Sequence, residues 1–298
     1  AAPLQLNEFQ LVDIFDPQYM NAPQTSSPQS DSDADQQMVG VYSQMQTRYR
    51  NLIGLLGARF DSVETEYEDT VTGVDEDGSD DELTWQAGLM YEFDFGLSPY
   101  ANYATSFIPA AREAAEDTGK PLEPVTGDQY EVGFKYQPPG SQVAMTVAYF
   151  DLSRENDIVL DNTLGGYRQV GETESKGVEF ELVGDVTDNI SVTAAYTYLD
   201  TEVKEDGGSR FEGRRSAGIP YHQAALWTNY EFHSGALNGL ETGLGIRYLG
   251  STKAYPDPVL GYGDELETEA QTLVDLAVAY GFAQHWRVGV TAKNVFDE

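Results

Sequence analysis

Residues 85–94 read WQAGLMYEFD, and this stretch determines how the rest of the chain is interpreted. Apolar or aromatic side chains occupy its odd-numbered positions, which are Trp85, Ala87, Leu89, Tyr91 and Phe93. Mostly polar or small side chains occupy its even-numbered positions, which are Gln86, Gly88, Met90, Glu92 and Asp94. Successive side chains of a β-strand point to opposite faces, so the stretch predicts a strand with one apolar face and one polar face.

The same period of two recurs along most of the chain. Apolar residues alternate with small, polar or charged ones in residues 130–136, 177–182, 240–248 and 286–296. From Met38 onward, the pattern predicts about twelve strands. We therefore expect an all-β fold in which the strands pair in an antiparallel sheet.

The connections between the predicted strands alternate between short and long. Short turns are predicted at residues 50–51, 95–96, 138–140, 185–188, 234–238 and 283–285. Longer polar connections are predicted at residues 13–37, 64–82, 108–127, 161–166, 204–218 and 251–269. Short turns at one end and long loops at the other are typical of a transmembrane antiparallel β-barrel of the outer membrane.

The composition agrees with a barrel wall that faces lipid on one side only. Of 298 residues, 40% are hydrophobic and the mean hydropathy is −0.43, although the chain has 19 Tyr, 13 Phe and 29 Gly. A polar lumen face keeps the average low in such a wall. The sequence has no apolar run of about 18 residues, so we predict no transmembrane helix.

Charge and cysteine usage exclude several classes of protein. The net charge is −33, from 50 acidic and 17 basic residues, which excludes a general nucleic-acid binder because that needs a basic face. The chain has no cysteine, so disulfides and thiol nucleophiles are excluded. Two interpretations of the charge stay open: a solvated acidic surface, or an outer rim that attracts divalent cations or rejects anionic solutes.

Charged side chains within the predicted strands distinguish a barrel from a soluble sandwich. Each lies on the polar side of its strand: Glu131, Lys135, Glu179 and Arg247. In a soluble sandwich the inner face is dry, and an unpaired buried charge is costly. The inner face of a large barrel is wet or packed against a polar plug. We therefore predict that these four residues face the lumen.

No constellation for catalysis or metal binding stands out. The three histidines, His222, His233 and His285, lack metal-ligand spacing, and no nucleophile or phosphate-binding motif occurs. Residues 75–82 read DEDGSDDE but fail the EF-hand pattern. We predict a solvated acidic loop there, with loose divalent-cation binding as the alternative. We expect no enzyme, no catalytic residue, no metal site and no protein-bound cofactor.

An ordered set of motifs carries a resemblance to a known family. The motifs are YANYATSF at residues 100–107, LEPVTGDQYEVGFK at 122–135, GETESKGVEFE at 171–181 and VTAKNVFD at 290–297. They resemble strand motifs of the TonB-dependent outer-membrane receptors, although Val125 stands where an acid is usual. Residues 11–19, LVDIFDPQY, resemble the ferrichrome-like branch of the ferric-siderophore receptors within that family.

The resemblance implies a 22-stranded barrel with a globular plug in its lumen. Residues 1–298 would form one partial barrel domain, without the plug domain and the final strand. The absence of a recognisable leader at Ala1 and of an aromatic strand end at Glu298 leads us to expect a fragment of a longer protein.

The resemblance further implies import of a ferric siderophore across the bacterial outer membrane, with energy delivered by TonB through the plug region. Its other partners would be outer-membrane lipid and lipopolysaccharide. Glu131, Lys135, Glu179 and Arg247 are then expected to face the plug. Aromatic and basic residues near the predicted outer loops are candidates for ligand contact: Phe107, Arg112, Tyr167, Tyr255 and Tyr262.

The acidic outer loops favour a hydroxamate siderophore, because they would repel a trianionic catecholate complex. Three alternatives stay open at this point. A receptor of the same family could carry cobalamin or an oligosaccharide. A passive porin would need no plug, and a soluble β-rich binding module would need no membrane.

Overall fold

The computed structural model describes residues 32–71, 73–109, 122–161, 166–205, 211–255, 265–283 and 285–297. Twelve strands form one antiparallel sheet: β1 (Ser32–Tyr49), β2 (Leu52–Asp69), β3 (Val74–Tyr91), β4 (Leu97–Ile108), β5 (Val125–Tyr136), β6 (Val143–Asp161), β7 (Gly166–Thr187), β8 (Ile190–Glu205), β9 (His222–Glu231), β10 (Leu240–Leu249), β13 (Gln271–Phe282) and β14 (Trp286–Ala292). The short strands β11 (Lys253–Ala254) and β12 (Leu266–Glu267) pair with each other, and one 3₁₀ turn spans Gly235–Leu237.

Each strand of the large sheet pairs with its neighbours in chain order, and β1 and β14 are its edges. The predicted all-β fold and the predicted number of strands are therefore confirmed. Short turns lie at one end of the sheet, and the three longest connections, β4–β5, β8–β9 and β10–β13, lie at the other, as the sequence indicated. The β2–β3 and β6–β7 connections at that second end are short as well. We call the two ends the short-turn end and the loop end. No described helix has the length and apolarity needed to cross a membrane.

The prediction of a long connection at residues 64–82 was wrong. Residues 64–82 belong to β2 and β3, which pair from Leu52↔Tyr91 to Asp69↔Val74. The predicted acidic loop at residues 75–82 is part of β3, and the turn covers only residues 70–73. Alternation persists here, because Val63 and Thr65 are buried while Glu64 and Glu66 are exposed. The abundance of acids hid this pattern from hydropathy.

Two further boundaries differ from the prediction for a related reason. Residues 32–37, predicted as loop, lie on β1, where they pair with the acidic part of β2. Strand β7 continues to Thr187, so the turn predicted at residues 185–188 begins later, at Asp188 and Asn189. Cross-strand pairing extends these strands beyond their apolar segments.

One face of the sheet is apolar and exposed. On β13 the exposed apolar side chains are Leu276, Val278, Tyr280 and Phe282, whereas Asp275 on the opposite face is buried. On β14, Trp286 is 66% exposed and Val290 is 70% exposed. A soluble protein would cover such a surface, since large contiguous apolar patches mark sites of contact with lipid or with another protein. We call this side the apolar face and the other the polar face.

Aromatic side chains form a row at each boundary of the apolar face. At the short-turn end, ring centroids lie 4.8 Å apart for Tyr91–Phe93 and 4.6 Å apart for Tyr230–Phe232. Nearer the loop end, Trp85 and Tyr103 lie 4.7 Å apart, and Tyr103 and Tyr130 lie 4.5 Å apart. Two such rows are the aromatic girdles expected where a barrel meets the two membrane interfaces.

Flat rings cover cross-strand glycines on the polar face. A Cβ added at Gly245 would lie 2.6 Å from the Trp227 ring, and one added at Gly177 would lie 2.6 Å from the Phe150 ring. At Gly177 the added atom would also lie 2.4 Å from the carbonyl oxygen of Tyr198. Only glycine lets the ring and the neighbouring strand approach this closely. These glycines therefore fix how the polar face packs.

We predict that Gly177→Ala destabilises the sheet by roughly 1–3 kcal/mol, because the added methyl group overpacks against Tyr198 and Phe150. The free energy of unfolding in lipid vesicles, measured for the full-length protein, tests this. Gly289→Ala is the matched control, since an added Cβ there meets its nearest atom at an ordinary 3.5 Å. Equal stabilities of the two variants would contradict the prediction.

Candidate binding face and outer loops

A polar network occupies the centre of the polar face on β4 and β5. Asn102 and Gln129 donate hydrogen bonds to the Glu131 carboxylate over 3.3 Å and 3.2 Å. The Lys135 ammonium lies 5.6 Å from the centroid of the Tyr100 ring. These side chains share a face because Asn102 pairs with Glu131 while Tyr100 pairs with Gly133, two residues further along each strand. The network presents amide, phenol and charged groups to the lumen side.

Glu179 and Arg247 lie on the same face, further along the sheet. Glu179 pairs with Ala148 and Thr197 across its two neighbouring strands. The Arg247 guanidinium lies 3.1 Å from the Asp275 carboxylate, which also accepts a hydrogen bond from the Asn294 backbone N–H over 2.9 Å. Arg247 is thus engaged within the wall itself.

All four predicted lumen-facing residues therefore share the polar face. Their contact with a plug stays a prediction.

At the loop end, a buried arginine holds the connection between β8 and β9 against the sheet. The Arg215 guanidinium pairs with Asp200 over 3.0 Å and donates to the carbonyl oxygens of Leu199 and Ile219 over 2.6 Å and 3.0 Å. It also lies 3.5 Å from the centroid of the Tyr221 ring. The guanidinium satisfies backbone groups that the irregular connection would otherwise leave unpaired.

The next connection at the loop end, between β10 and β13, binds to the first. The Gly218 N–H donates to the Lys253 carbonyl oxygen over 2.8 Å, and the Arg214 guanidinium lies 5.0 Å from the centroid of the Tyr255 ring. An ion pair of 2.7 Å joins Lys253 to Glu265, and the hydrogen bond that Lys253 donates to Glu265 raises the pKa of Lys253. We call residues 211–221 and 250–255 the loop pair. It brings a cation and an aromatic ring together outside the sheet.

On the apolar face of β7, charged side chains replace apolar ones between Val178 and the loop end. Glu174 lies between Lys176 and Lys204, at 2.6 Å and 3.1 Å. The hydrogen bond that Lys176 donates lowers the pKa of Glu174, and the hydrogen bond that Lys204 donates to Glu202 raises the pKa of Lys204. Because unpaired charge is costly in lipid, this cluster marks the loop-end limit of the membrane contact.

The predicted ligand residues that the structure describes lie on separate parts of the chain. Phe107 lies near the loop end of β4, half-buried, on the same face as Tyr103 and thus on the apolar side. Tyr167 lies on β7, where its backbone pairs with Leu160. Tyr255 belongs to the loop pair, whereas Arg112 and Tyr262 lie outside the described residues. The ligand assignment stays a prediction.

Four residues of these arrangements were not predicted from the sequence: Tyr100, Asn102, Arg214 and Arg215. The neighbouring pair Arg214 and Arg215 carried a signal, because two adjacent bases are unusual in a chain with 17 basic and 50 acidic residues. Tyr100 and Asn102 lie inside a quoted motif, but their roles depend on the register between β4 and β5. The described ranges contain no group of three or more His, Asp or Glu placed to hold a metal ion.

These features define a class of protein. An antiparallel sheet with an exposed apolar face, two aromatic girdles and a polar inner face is the wall of a membrane β-barrel. The family model described as TonB dependent receptor-like, beta-barrel, matches residues 4–295, and the chain belongs to this family. Proteins of this family lie in the bacterial outer membrane.

Relatives and solved structures agree with this assignment. The chain is 35% identical to the ferrichrome outer membrane transporter/phage receptor of Escherichia coli (strain K12) over 87% of its own length and 33% of the relative. It is 32% identical to the ferrioxamine B receptor of Salmonella typhimurium (strain LT2), over 96% of this chain and 39% of the relative. Both curated relatives are thus far longer than the part that matches.

Among solved structures, the pyoverdine outer membrane receptor FpvA of Pseudomonas aeruginosa PAO1 matches with a TM-score of 0.77 and 25% identity. The match covers 94% of this chain and 40% of that one. The fold of the sheet and its order of strands are therefore those of a receptor barrel.

We predict that Arg215→Lys loosens residues 211–221 without disturbing the sheet. Lysine cannot reproduce the forked contacts to Asp200 and the two carbonyl oxygens, and each lost charged hydrogen bond is worth about 1.5–3 kcal/mol. Amide hydrogen exchange over residues 211–221 should accelerate at least about tenfold. Arg50→Lys, in a short turn, is the control. Unchanged exchange in Arg215→Lys would show that the guanidinium does not hold this connection.

Proposed function

We propose that the protein containing this chain binds a ferric siderophore, of the hydroxamate type, and imports it across the outer membrane with TonB-derived energy. The observation that carries the proposal is the similarity, along most of the chain, to receptors named for ferrichrome and ferrioxamine. Both ligands are hydroxamate chelates of iron. The proposal concerns the whole protein, of which this chain supplies barrel wall and outer loops.

Charge supports the choice of ligand class. The loop-end parts of β1, β2 and β3 carry many carboxylates, and the sequence has no Lys or Arg from residue 60 to residue 111. A trianionic catecholate complex approaching this end would be repelled, whereas a neutral or cationic hydroxamate complex would not. Salt limits the effect to within about 8 Å at physiological ionic strength. The charge therefore acts on ligands close to the loops.

The loop pair is the described part of the molecule that best suits ligand contact. It combines the Tyr255 ring with the Arg214 guanidinium at the loop end, and Arg215 anchors it. An aromatic ring and a cation suit an iron chelate with an apolar rim and oxygen ligands. We infer that Tyr255 belongs to the outer ligand site and that Arg214 orients its ring.

Import requires no covalent chemistry on the ligand, so we propose a transporter and not an enzyme. We propose that TonB acts through a plug that packs against the polar face. Charge on that face is compatible with a polar plug, because Glu131, Lys135 and Glu179 lie there together. Lipid would contact the apolar face, and lipopolysaccharide phosphates would meet Lys176 and Lys204 at its boundary.

The proposal is tested by uptake in an iron-starved host that lacks its own siderophore receptors. The full-length gene is expressed with and without TonB, and radioactive iron is supplied on hydroxamate, catecholate and carboxylate siderophores. We expect uptake on hydroxamates that disappears without TonB. Passage that persists without TonB would indicate a porin. Absence of uptake on all three classes would favour cobalamin or an oligosaccharide as the ligand.

The ligand site is tested by a short series of variants in the same protein. Tyr255→Ala is expected to weaken siderophore binding about tenfold, because it removes an aromatic anchor. Tyr255→Phe is the matched control and should bind within about twofold of the native protein, since the ring and its cation contact remain. Equilibrium binding by fluorescence quenching gives both values. Native affinity in Tyr255→Ala would refute the assignment.

A further inference from the structure

Strands β3 and β4 pair along only part of their length. Their register runs from Met90↔Tyr100 to Gln86↔Ala104 and stops there. At the next step the Thr105 hydroxyl replaces the strand backbone. It accepts a hydrogen bond from the Trp85 N–H over 2.9 Å and donates to the Trp85 carbonyl oxygen over 3.4 Å. The two strands therefore separate at Trp85.

Among the described residues, the separation leaves the loop-end half of β3 without a neighbouring strand on one side. Backbone groups alternate along a strand, so those that follow Trp85 toward this side belong to Leu83, Asp81, Ser79 and Asp77. No described residue pairs with them there. On its other side β3 stays paired with β2 up to Val74↔Asp69. Within the described part of the chain, β3 therefore presents an edge of roughly 25–30 Å whose other side is paired with β2 throughout.

The position of this edge separates it from the ends of the sheet. It lies in the interior of the strand order, between β3 and β4, and not at β1 or β14. On the apolar side, Leu83 is the last large hydrophobic residue of β3 before Asp81, Ser79, Asp77 and Asp75. The edge thus lies beyond the lipid contact, at the loop end, in water.

Acids surround the edge in direct cross-strand positions. Asp35 pairs with Glu66, which pairs with Asp77, and the three exposed side chains share one face. Carboxylates placed opposite each other repel. The loop-end parts of these strands contain no base, because no Lys or Arg occurs in residues 32–47 or 60–111. A cation supplied from outside would relieve this repulsion.

Charge also determines which strand could pair with the edge. An exposed edge is a template for an added strand, and charged residues protect such edges from unwanted pairing. Here the protecting charge is negative throughout, so it repels an acidic segment and attracts a basic one. An extended basic segment would supply the missing hydrogen bonds. Basic side chains at every second position of that segment would neutralise Asp77 and Asp81.

We propose that the loop-end half of β3 is a docking edge for an extended cationic segment of another protein, which adds to the sheet as a strand. The proposal is independent of siderophore import. It predicts recognition through both backbone hydrogen bonds and charge, and it places the contact at Asp77, Ser79 and Asp81.

The probe is a synthetic nine-residue peptide with Lys at odd positions and Thr or Val at even positions. Its Kd for the full-length receptor in lipid nanodiscs is measured at low and physiological salt. A second peptide of the same sequence carries N-methyl groups on alternate backbone amides, which removes its donors toward β3 and keeps its charge. We expect saturable binding of the first peptide and at least about tenfold weaker binding of the second.

Ser79→Pro is the decisive variant of the receptor. The Ser79 N–H points to the open side, so proline blocks strand addition there without removing a bond to β2. Peptide binding should disappear in Ser79→Pro and persist in Ser79→Ala. The double substitution Asp77→Asn and Asp81→Asn should weaken binding about five- to tenfold. Siderophore uptake should be unaffected in Ser79→Pro and Ser79→Ala, which leave the charge of the loop end unchanged.

Three results would overturn the proposal. Equal binding of the N-methylated peptide, or competition by spermine as effective as that by the peptide, would mean adhesion by charge alone. Native affinity in Ser79→Pro would place the contact elsewhere. Absence of saturable binding to the native receptor would mean that the acids only protect the edge. If Ser79→Pro fails to fold, the two peptides still decide the question on the native protein.

Discussion

Lipid offers no hydrogen-bond partner for the backbone, and this constraint governs the whole molecule. Each strand inside the membrane must pair with neighbours on both sides. Within the described chain, the strands between β1 and β14 obey this rule by pairing in simple chain order, with the tightest turns at one end. Outside the lipid, water can satisfy the backbone, and there the pairing becomes incomplete. The Thr105 hydroxyl hydrogen-bonds the Trp85 backbone where β4 separates from β3. The Arg215 guanidinium donates to a backbone carbonyl oxygen next to the connection between β8 and β9.

The fold could be predicted from the sequence because alternation is a local property. Residues 85–94 contain the whole signal, and the same period recurs on the other strands that cross the membrane. Prediction failed at residues 64–82, where both faces are polar and hydropathy no longer marks a strand. There the pairing of β2 with β3 is continuous, and the strand geometry continues past the last lipid-facing residue. The length of a strand therefore differs from the length of its lipid-facing segment, and hydropathy predicts only the lipid-facing segment.

The candidate site was less accessible to sequence reasoning, because it depends on register and on contacts between loops. The polar face was predictable residue by residue, since Glu131, Lys135, Glu179 and Arg247 follow from alternation. Which of these side chains contact each other could not be predicted, because that depends on the register between neighbouring strands. The partnership of Arg214 with Tyr255 joins two connections far apart in sequence. Family resemblance supplied the class of ligand but could not supply these contacts.

The flat packing of Trp227 on Gly243 and Gly245 has a consequence for how such a wall can change over evolutionary time. An added Cβ at either glycine would lie within 2.7 Å of the indole ring, so the three positions are not free to vary independently. A smaller residue at 227 would admit side chains at 243 and 245, and reversion of the first change would then be blocked by the second. The clear width of the lumen thus depends on substitution history as well as on the number of strands.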